Sequence, residues 1–226
     1  MKKILVIAAH PDDETLGCGG LFSKYQNEEV TFKVLFIGEG SSCRYEDPAS
    51  KDSLDAIKLR NSYASEALKS FDIMDPIFCN LACGRLDTYP ILEINKIIEN
   101  TISEFKPDTV FTHSAADANN DHKIIFNSTI MATRPCNDHR VVKLYSYEVL
   151  SSSEWLFAET FKPNVFISLS EEDIQNKCKA MLIYESEIRP YPFPRSSEAI
   201  RAQSMSRGTQ SGNSFAEAFC LIREFV

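Results

Sequence analysis

Short apolar runs alternate with helical segments through the first half of this 226-residue chain, and this alternation strongly restricts its fold. The run Ile4–Ala9 is apolar at every position, which is typical of a strand buried on both faces. Strands joined through helices are parallel and form a doubly wound sheet. The predicted strands are Ile4–Ala9, Val30–Ile37, Pro76–Leu81 and Thr109–Thr112, and the predicted helices are Glu14–Asn27, Ser53–Phe71, one that begins at Pro90, and Asp121–Thr133.

The second half of the chain predicts further elements around the same sheet. A chain of this length buries one core, so we expect a single domain over residues 1–226. The expected class is α/β, with a mostly parallel sheet flanked by helices. The predicted elements are strands at Lys143–Leu150 and Asn164–Leu169, a helix that Ser170 caps, a proline-rich loop from Arg189 to Pro194, and a helix over Ser196–Arg207 that Gly208 ends.

One histidine and three carboxylates follow the first predicted strand at once, in the sequence His10-Pro11-Asp12-Asp13-Glu14. Buried carboxylates are costly unless a cation or hydrogen-bond donors compensate them. His10 and Asp13 lie three residues apart at a strand-to-helix turn, so both can converge on one metal ion. Asp12 is spaced to point differently and could take a proton from metal-bound water whose pKa the ion has lowered. An acidic N-cap that favours the helix dipole is the alternative interpretation.

A third ligand must come from another segment, and His122 is the candidate. It lies in the first turn of the helix that follows the fourth predicted strand, which ends at His113. Open parallel sheets bind ligands beyond the carboxyl ends of their strands, so the segments after the first and fourth strands should meet. Zn²⁺ accepts imidazole and carboxylate ligands, and other divalent metals remain possible. A lone histidine is more often a satisfied, partly buried side chain, but the two segments together favour a metal.

Composition excludes several classes of partner. The net charge of −8 leaves no basic stripe for nucleic acid. Seven cysteines without a CxxC pair argue against a thiolate zinc site and fit reduced thiols in a cytoplasmic protein. No apolar segment has stop-transfer length, so we expect no membrane insertion, whereas homo-oligomers remain possible. The glycines of Gly17-Cys18-Gly19-Gly20 indicate close helix–sheet packing, because a phosphate there would face the acidic cluster.

Three segments resemble the PIG-L/LmbE-like family of metal-dependent N-deacetylases. They are Ala8–Gly20, the segment from Thr112-His113-Ser114 to Asp121-His122, and the weaker match Arg207–Phe219. The resemblance implies a Rossmann-like fold, a zinc site, and hydrolysis of an N-acetyl group, usually on an N-acetylglucosamine-type sugar. It further implies that the metal ligands are His10, Asp13 and His122 and that the general base is Asp12.

The resemblance also identifies candidate substrate-binding residues. Arg60 falls where family members carry an arginine that binds sugar hydroxyls, although a solvated helix arginine is an equal alternative. Apart from the resemblance, Arg207 belongs to a group of arginines that could bind a diphosphate or carboxylate on the substrate, although an ordinary solvated charge is an equal alternative for most of them. The other arginines of that group are Arg44, Arg189 and Arg195.

The chain departs from the family pattern at two positions. Asn119 stands where some members carry a histidine that assists as an acid or oxyanion donor, and an amide can donate but cannot shuttle a proton. We therefore expect Asp12 to act as base and acid, or Asp117 or His113 to assist, and these last two residues are also candidates for substrate binding. Asp121 is expected to orient a neighbouring ligand. Cys83 stands where members often carry an aspartate for sugar hydroxyls.

The sequence as a whole predicts a metal-dependent hydrolase that removes an N-acetyl group from a free, nucleotide-linked or conjugated amino sugar. Two alternatives stay open: a non-catalytic, metal-containing sugar-binding protein of the same fold, and an amidase that acts on a non-sugar secondary metabolite. The presence of Asp12 favours an enzyme, because a binding protein needs no base beside its metal.

Overall fold

The computed structural model describes residues 1–136 and 139–226, and seven strands in that part of the chain form one sheet. The strand order is β3-β2-β1-β4-β5-β7-β6. Strands β1 to β5 pair in parallel, whereas β7 runs antiparallel to both β5 and β6. The predicted mostly parallel sheet is therefore confirmed. The strands are β1 (Lys3–Ala8), β2 (Thr31–Gly38), β3 (Ile77–Leu81), β4 (Thr109–His113), β5 (Lys143–Tyr147), β6 (Val165–Leu169) and β7 (Phe215–Glu224).

Six α-helices connect or flank these strands in the described residues. They are α1 (Asp13–Tyr25), α2 (Lys51–Lys69), α3 (Ile91–Phe105), α4 (Asn120–Ala132), α5 (Glu171–Ile183) and α6 (Ser197–Ser211). Ser170 caps α5 as predicted, through a reciprocal capping box with Asp173. None of these helices combines the length and the apolar character that crossing a bilayer would require.

The prediction that Gly208 ends the last helix is wrong, because α6 continues to Ser211. Gly208 is required there by a close approach of the chain rather than by a helix end. A Cβ atom at Gly208 would lie 2.7 Å from the carbonyl oxygens of Asn213 and Ser214, where the chain enters β7. The helix instead terminates at Gly212, whose left-handed φ of 72° is typical of a C-cap.

The predicted strand Lys143–Leu150 is also shorter in the structure, since β5 ends at Tyr147. Tyr147 is its last residue paired with β7, opposite Phe219. The chain then turns, because the carbonyl of Val149 accepts hydrogen bonds from the amides of Ser152 and Ser153. This turn brings two serine hydroxyls beside the candidate site described below.

The uniform apolar character of β1 has a simple structural cause. Its alternate residues belong to two different core clusters, with Ile4 and Val6 in one and Leu5 and Ile7 in the other. Both faces of the strand are therefore covered, as the continuous apolar run predicts. The glycine prediction also holds at Gly17 of α1, where a Cβ atom would lie 2.3 Å from the ring of a β5 residue, Tyr147.

Strand order determines where the two predicted motifs meet. The sheet extends from β1 through β2 in one direction and through β4 in the other, so the order reverses between β1 and β4. Ligands of open α/β sheets bind in the crevice at such a reversal, beyond the carboxyl ends of the strands. The acidic cluster follows β1, and the segment from Ser114 to His122 follows β4, so both lie at this crevice.

Candidate metal centre and active site

The turn between β1 and α1 gives the two neighbouring aspartates different surroundings. Asp12 has φ = 116°, a left-handed conformation that costs a non-glycine residue about 1–3 kcal/mol. Two hydrogen bonds hold the turn: the His10 amide donates to Asp13 Oδ2 at 2.8 Å, and the Asp12 amide donates to Glu14 Oε2 at 2.9 Å. Asp13 faces histidines, whereas Asp12 faces arginines. Glu14 itself is fully buried and supports the turn.

Three predicted ligands converge on one point. The donor atoms of His10, Asp13 and His122 all lie within 4.8 Å of one another. Asp13 Oδ2 lies 3.5 Å from His10 Nδ1 and 3.3 Å from His122 Nε2. Among the described residues, the buried Nε2 atom of His122 has no hydrogen-bond partner. An orphaned imidazole nitrogen beside a carboxylate and a second imidazole fits a divalent metal ion, and these three residues could hold one.

Asp13 and His122 carry opposite charges at this point, and each shifts the pKa of the other. Burial opposes ionisation of Asp13, but His122 and His10 outweigh it and hold the pKa of Asp13 well below its usual range. Burial also lowers the pKa of His122, yet Asp13 and Asp117 outweigh it and raise that pKa to about 10. A metal at Nε2 would replace the proton there, because only the neutral imidazole ligates. The carboxylate of Asp13 is thus ready to accept a cation.

The imidazoles of His10 and His122 each contact a second carboxylate through their other ring nitrogen. Asp121 Oδ2 lies 2.9 Å from His10 Nε2, and Asp117 Oδ2 lies 3.1 Å from His122 Nδ1. In both cases this is the ring nitrogen other than the one nearer Asp13. Carboxylates in this arrangement fix the tautomer and the ring orientation of a histidine that ligates a metal.

These two carboxylates are themselves held by hydrogen bonds from neighbouring loops. Asp121 accepts from the amides of Gly84 at 2.7 Å and Leu86 at 3.2 Å, both in the loop after β3. Asp117 accepts from the hydroxyls of two residues after β5, Ser152 at 3.0 Å and Ser153 at 2.8 Å. Sequence reasoning missed the two serines, because no motif surrounds them.

Asp12 is itself fully buried and faces arginine side chains beside this centre. Its Oδ1 atom is 3.1 Å from Arg60 Nη2, and its Oδ2 atom is 3.2 Å from Arg195 Nη1. Neither oxygen has a hydrogen-bond partner among the described residues. Burial raises the pKa of Asp12 above its ordinary value, and the two arginines oppose this shift. Arg60 is 3% exposed, so it is not a solvated helix arginine.

Glu187 contacts the arginines around Asp12, and the sequence analysis did not identify it either. Its carboxylate accepts hydrogen bonds from both Nη atoms of Arg44 and from Arg195, each at 2.7 Å, and it lies 3.1 Å from Arg60 Nη1. Burial opposes ionisation of Glu187, but the guanidinium groups outweigh it and lower its pKa to about 2. Glu187 therefore balances the positive charge that the arginines bring to Asp12.

The remaining predicted residues lie around the centre with partners of their own. His113 Nε2 accepts from the Ala9 amide at 2.8 Å, and burial lowers the pKa of His113 to about 3. Asn119 caps α4, since its side-chain oxygen accepts from the Asp121 amide, which leaves its amide nitrogen as a donor. Arg207 of α6 makes a bidentate pair with Glu148.

The model of the PIG-L family, described as GlcNAc-PI de-N-acetylase, matches residues 5–133. This match covers more than half of the chain and includes both segments of the centre. The chain belongs to the PIG-L family. A curated relative is the uncharacterized deacetylase YaiS of Escherichia coli K12, with 29% identity over 193 residues that span 82% of this chain and 91% of that protein.

Solved structures share the PIG-L fold of this chain. The N,N'-diacetylchitobiose deacetylase from Pyrococcus horikoshii, complexed with its inhibitor MPG, has a TM-score of 0.78 at 20% identity and covers 98% of this chain and 84% of its own. GalB, the 4-carboxy-2-hydroxymuconate hydratase from Pseudomonas putida KT2440, has a TM-score of 0.78 at 16% identity and covers 100% of this chain and 98% of its own. At such identities the likeness shows the fold alone, and one fold can support different reactions.

Proposed function

We propose that this protein is a zinc-dependent N-deacetylase that hydrolyses the N-acetyl group of an amino sugar to a free amine and acetate. The sugar is free, nucleotide-linked or conjugated. The observation that carries the proposal is the fully buried Asp12 carboxylate, which lies beside three converging metal donors and has no hydrogen-bond partner in the described residues. The family description and the deacetylase relative from Escherichia coli support the same reaction.

We assign His10, Asp13 and His122 as the residues that hold the metal. A bound Zn²⁺ would polarise the acetyl carbonyl and lower the pKa of water. Two imidazoles and one carboxylate are a donor set that zinc accepts, with a further position open to water and substrate. Asp121 and Asp117 keep the two imidazole rings oriented through their second nitrogen atoms.

Proton transfer is assigned to Asp12. In the first step its carboxylate accepts a proton from the attacking water. Arg60 and Arg195 hold both carboxylate oxygens in place and favour the ionised form that a base requires. In the second step the protonated Asp12 gives this proton to the departing amine, so one water molecule and one amide become one amine and one acetic acid, which loses its proton to solvent and leaves as acetate.

Asn119 is proposed to stabilise the oxyanion that develops on the acetyl oxygen. Its side-chain oxygen is engaged in the α4 cap, so the amide nitrogen is the group left to donate. His113 has its Nε2 atom engaged by the Ala9 amide and a pKa too low for a proton carrier at neutral pH. We therefore assign both proton transfers to Asp12 rather than to His113.

We propose that two of the predicted substrate-binding residues act indirectly, through the groups of the centre that they contact. Arg60 and Asp117 each contact a member of the centre, so they act on the reaction by positioning Asp12 and His122. Arg207 would bind an anionic group of the substrate only by exchanging its partner Glu148. The identity of the sugar thus depends on the loops around the centre rather than on these side chains alone.

The decisive experiment is a measurement of acetate release from a substrate panel. The panel contains N-acetylglucosamine, N,N'-diacetylchitobiose, a nucleotide-linked N-acetylhexosamine and an N-acetyl amino acid, each with and without a chelator. We expect acetate from at least one sugar, loss of activity with the chelator, and recovery when Zn²⁺ is restored. Tight sugar binding without acetate would instead establish a binding protein, and acetate from the amino acid alone would establish a non-sugar amidase.

A further inference from the structure

Two cysteines from different loops lie in contact beside the candidate centre. Cys43 is in a single 3₁₀ turn (Ser42–Arg44) after β2, and Cys83 is in the loop after β3. Their Sγ atoms are 3.1 Å apart. A disulfide bond is about 2.05 Å long, so the two sulfur atoms need to approach by only about 1 Å to form one.

The backbone around both cysteines is already fixed by a common acceptor, the buried carboxylate of Glu39. It accepts hydrogen bonds from the amides of Ser41 at 2.5 Å and Ser42 at 2.9 Å, next to Cys43. It also accepts from the amide of Cys83 at 2.7 Å. One carboxylate therefore connects the two loops and holds the two cysteines side by side before any covalent bond forms.

The two thiols have complementary properties for disulfide exchange. Cys43 is exposed, and its hydrogen bond with Cys83 lowers the pKa of Cys43 to about 6, which favours its thiolate. Cys83 is buried and cannot be reached first by a reagent. By contrast, burial raises the pKa of four other cysteines, which disfavours their thiolates; they are Cys18, Cys79, Cys178 and Cys220.

We propose that Cys43 and Cys83 form a reversible dithiol–disulfide site, which a small-molecule disulfide such as oxidised glutathione converts to a covalent bond. The Cys43 thiolate attacks one sulfur of the reagent, which forms a mixed disulfide and releases one thiolate. The Cys83 sulfur then attacks Cys43, which releases the second thiolate. Two electrons pass from the protein to the reagent, and the two cysteine protons end on the released thiols or in solvent.

The position of this site gives the bond a structural consequence. Cys83 Sγ is in a donor group with His10 and Asp121, whose ligand atoms lie within 4.8 Å of one another. The next amide, of Gly84, donates to Asp121, which in turn contacts His10. The disulfide would therefore anchor the loop that orients one of the proposed metal ligands. Disulfides that form in cytosolic proteins are typically transient, catalytic or redox-sensing.

Peptide mapping of the full chain tests this inference without any measurement of activity. The protein is incubated at a series of ratios of reduced to oxidised glutathione, alkylated and digested with trypsin without reduction. We expect peptide Val34–Arg44 linked to peptide Ser70–Arg85, lighter by the two hydrogens lost. The linked fraction should rise with oxidised glutathione and fall again with reduced glutathione.

Variants identify the sulfur atoms, since Cys79 and Cys83 share one tryptic peptide. Cys79→Ser and, as a control on an exposed thiol, Cys136→Ser should keep the linked peptide, whereas Cys83→Ser should lose it. A link that survives Cys83→Ser would overturn the proposal. So would a wild-type protein that accumulates glutathione on Cys43 without the link, or one whose two thiols resist alkylation and linkage because they retain Zn²⁺.

Discussion

Asp12 and Arg60 form an ion pair of 3.1 Å in which the two residues are 0% and 3% exposed. Arg60 also donates from Nε to the carbonyl of Pro11, at 2.8 Å, so α2 is connected to the turn that carries the base. A buried charge is costly without its partner. The pair therefore serves both the stability of the turn and the position of the proposed base, and the two effects can be measured separately.

Replacing the base should abolish most of the turnover and leave the metal in place. We expect Asp12→Asn to lower kcat by about 10²–10⁴, because the amide cannot accept the proton from water. Zinc content per chain should be unchanged, since the three proposed ligands remain. Asp52→Asn, at an exposed position in α2, is the matched control and should retain full activity. Near-normal deacetylation by Asp12→Asn would remove Asp12 from the mechanism.

Breaking the buried pair should destabilise the fold far more than breaking an exposed one. We expect Arg60→Ala to cost about 3–5 kcal/mol of unfolding free energy, because it leaves Asp12 and Glu187 with less compensation. Arg201→Ala removes the exposed pair with Glu171 and should leave the urea midpoint almost unchanged. Equal urea midpoints for the two variants would show that Arg60 does not compensate buried charge.

Removing a proposed ligand should lower the metal content. In the His122→Ala variant we expect elemental analysis after gel filtration to find much less zinc per chain than in the wild type, because only two of the three proposed ligands remain. His139→Ala is the control, because His139 contacts the carbonyl of Pro107 and not the centre. Undiminished zinc in His122→Ala would exclude His122 as a ligand.

Weakening the support of a ligand should reduce metal affinity without eliminating it. Asp121→Asn keeps the shape of the side chain but removes the carboxylate that faces His10 Nε2. We expect a loss of about 10–100-fold in zinc affinity in a competition titration against a chromophoric chelator. An affinity equal to that of the wild type would mean that the Asp121 charge has no part in holding His10.

The packing role of Gly17 can be tested by stability alone. A methyl group there would lie 2.3 Å from the ring of Tyr147, whose hydroxyl donates to the carbonyl of Ile7 in β1. We expect Gly17→Ala to lower the unfolding free energy by about 1–3 kcal/mol, because α1 cannot approach the sheet as closely. An unchanged urea midpoint would show that this contact relaxes without cost.

The fold was largely predictable from local pattern. The run that forms β1 is apolar because both faces of this strand are covered, so consecutive residues of the sequence reveal it. Strand ends were less predictable, since β5 stops where its pairing with β7 stops. The helix end predicted at Gly208 is wrong because glycine can be required both inside a helix and at its end. Only the close approach of the Asn213 and Ser214 carbonyl oxygens shows which of the two applies at Gly208.

For the candidate site, the sequence by itself determined that the first motif and the segment from Ser114 to His122 meet, because both follow strands of a parallel sheet and lie at its edge. Only the tertiary structure decided which groups surround them. Arg195 reaches Asp12 from the segment after α5, where it also pairs with Glu187, and Ser152 and Ser153 reach Asp117 from the turn after β5. These contacts depend on how distant loops pack over the crevice, and no local spacing encodes such packing.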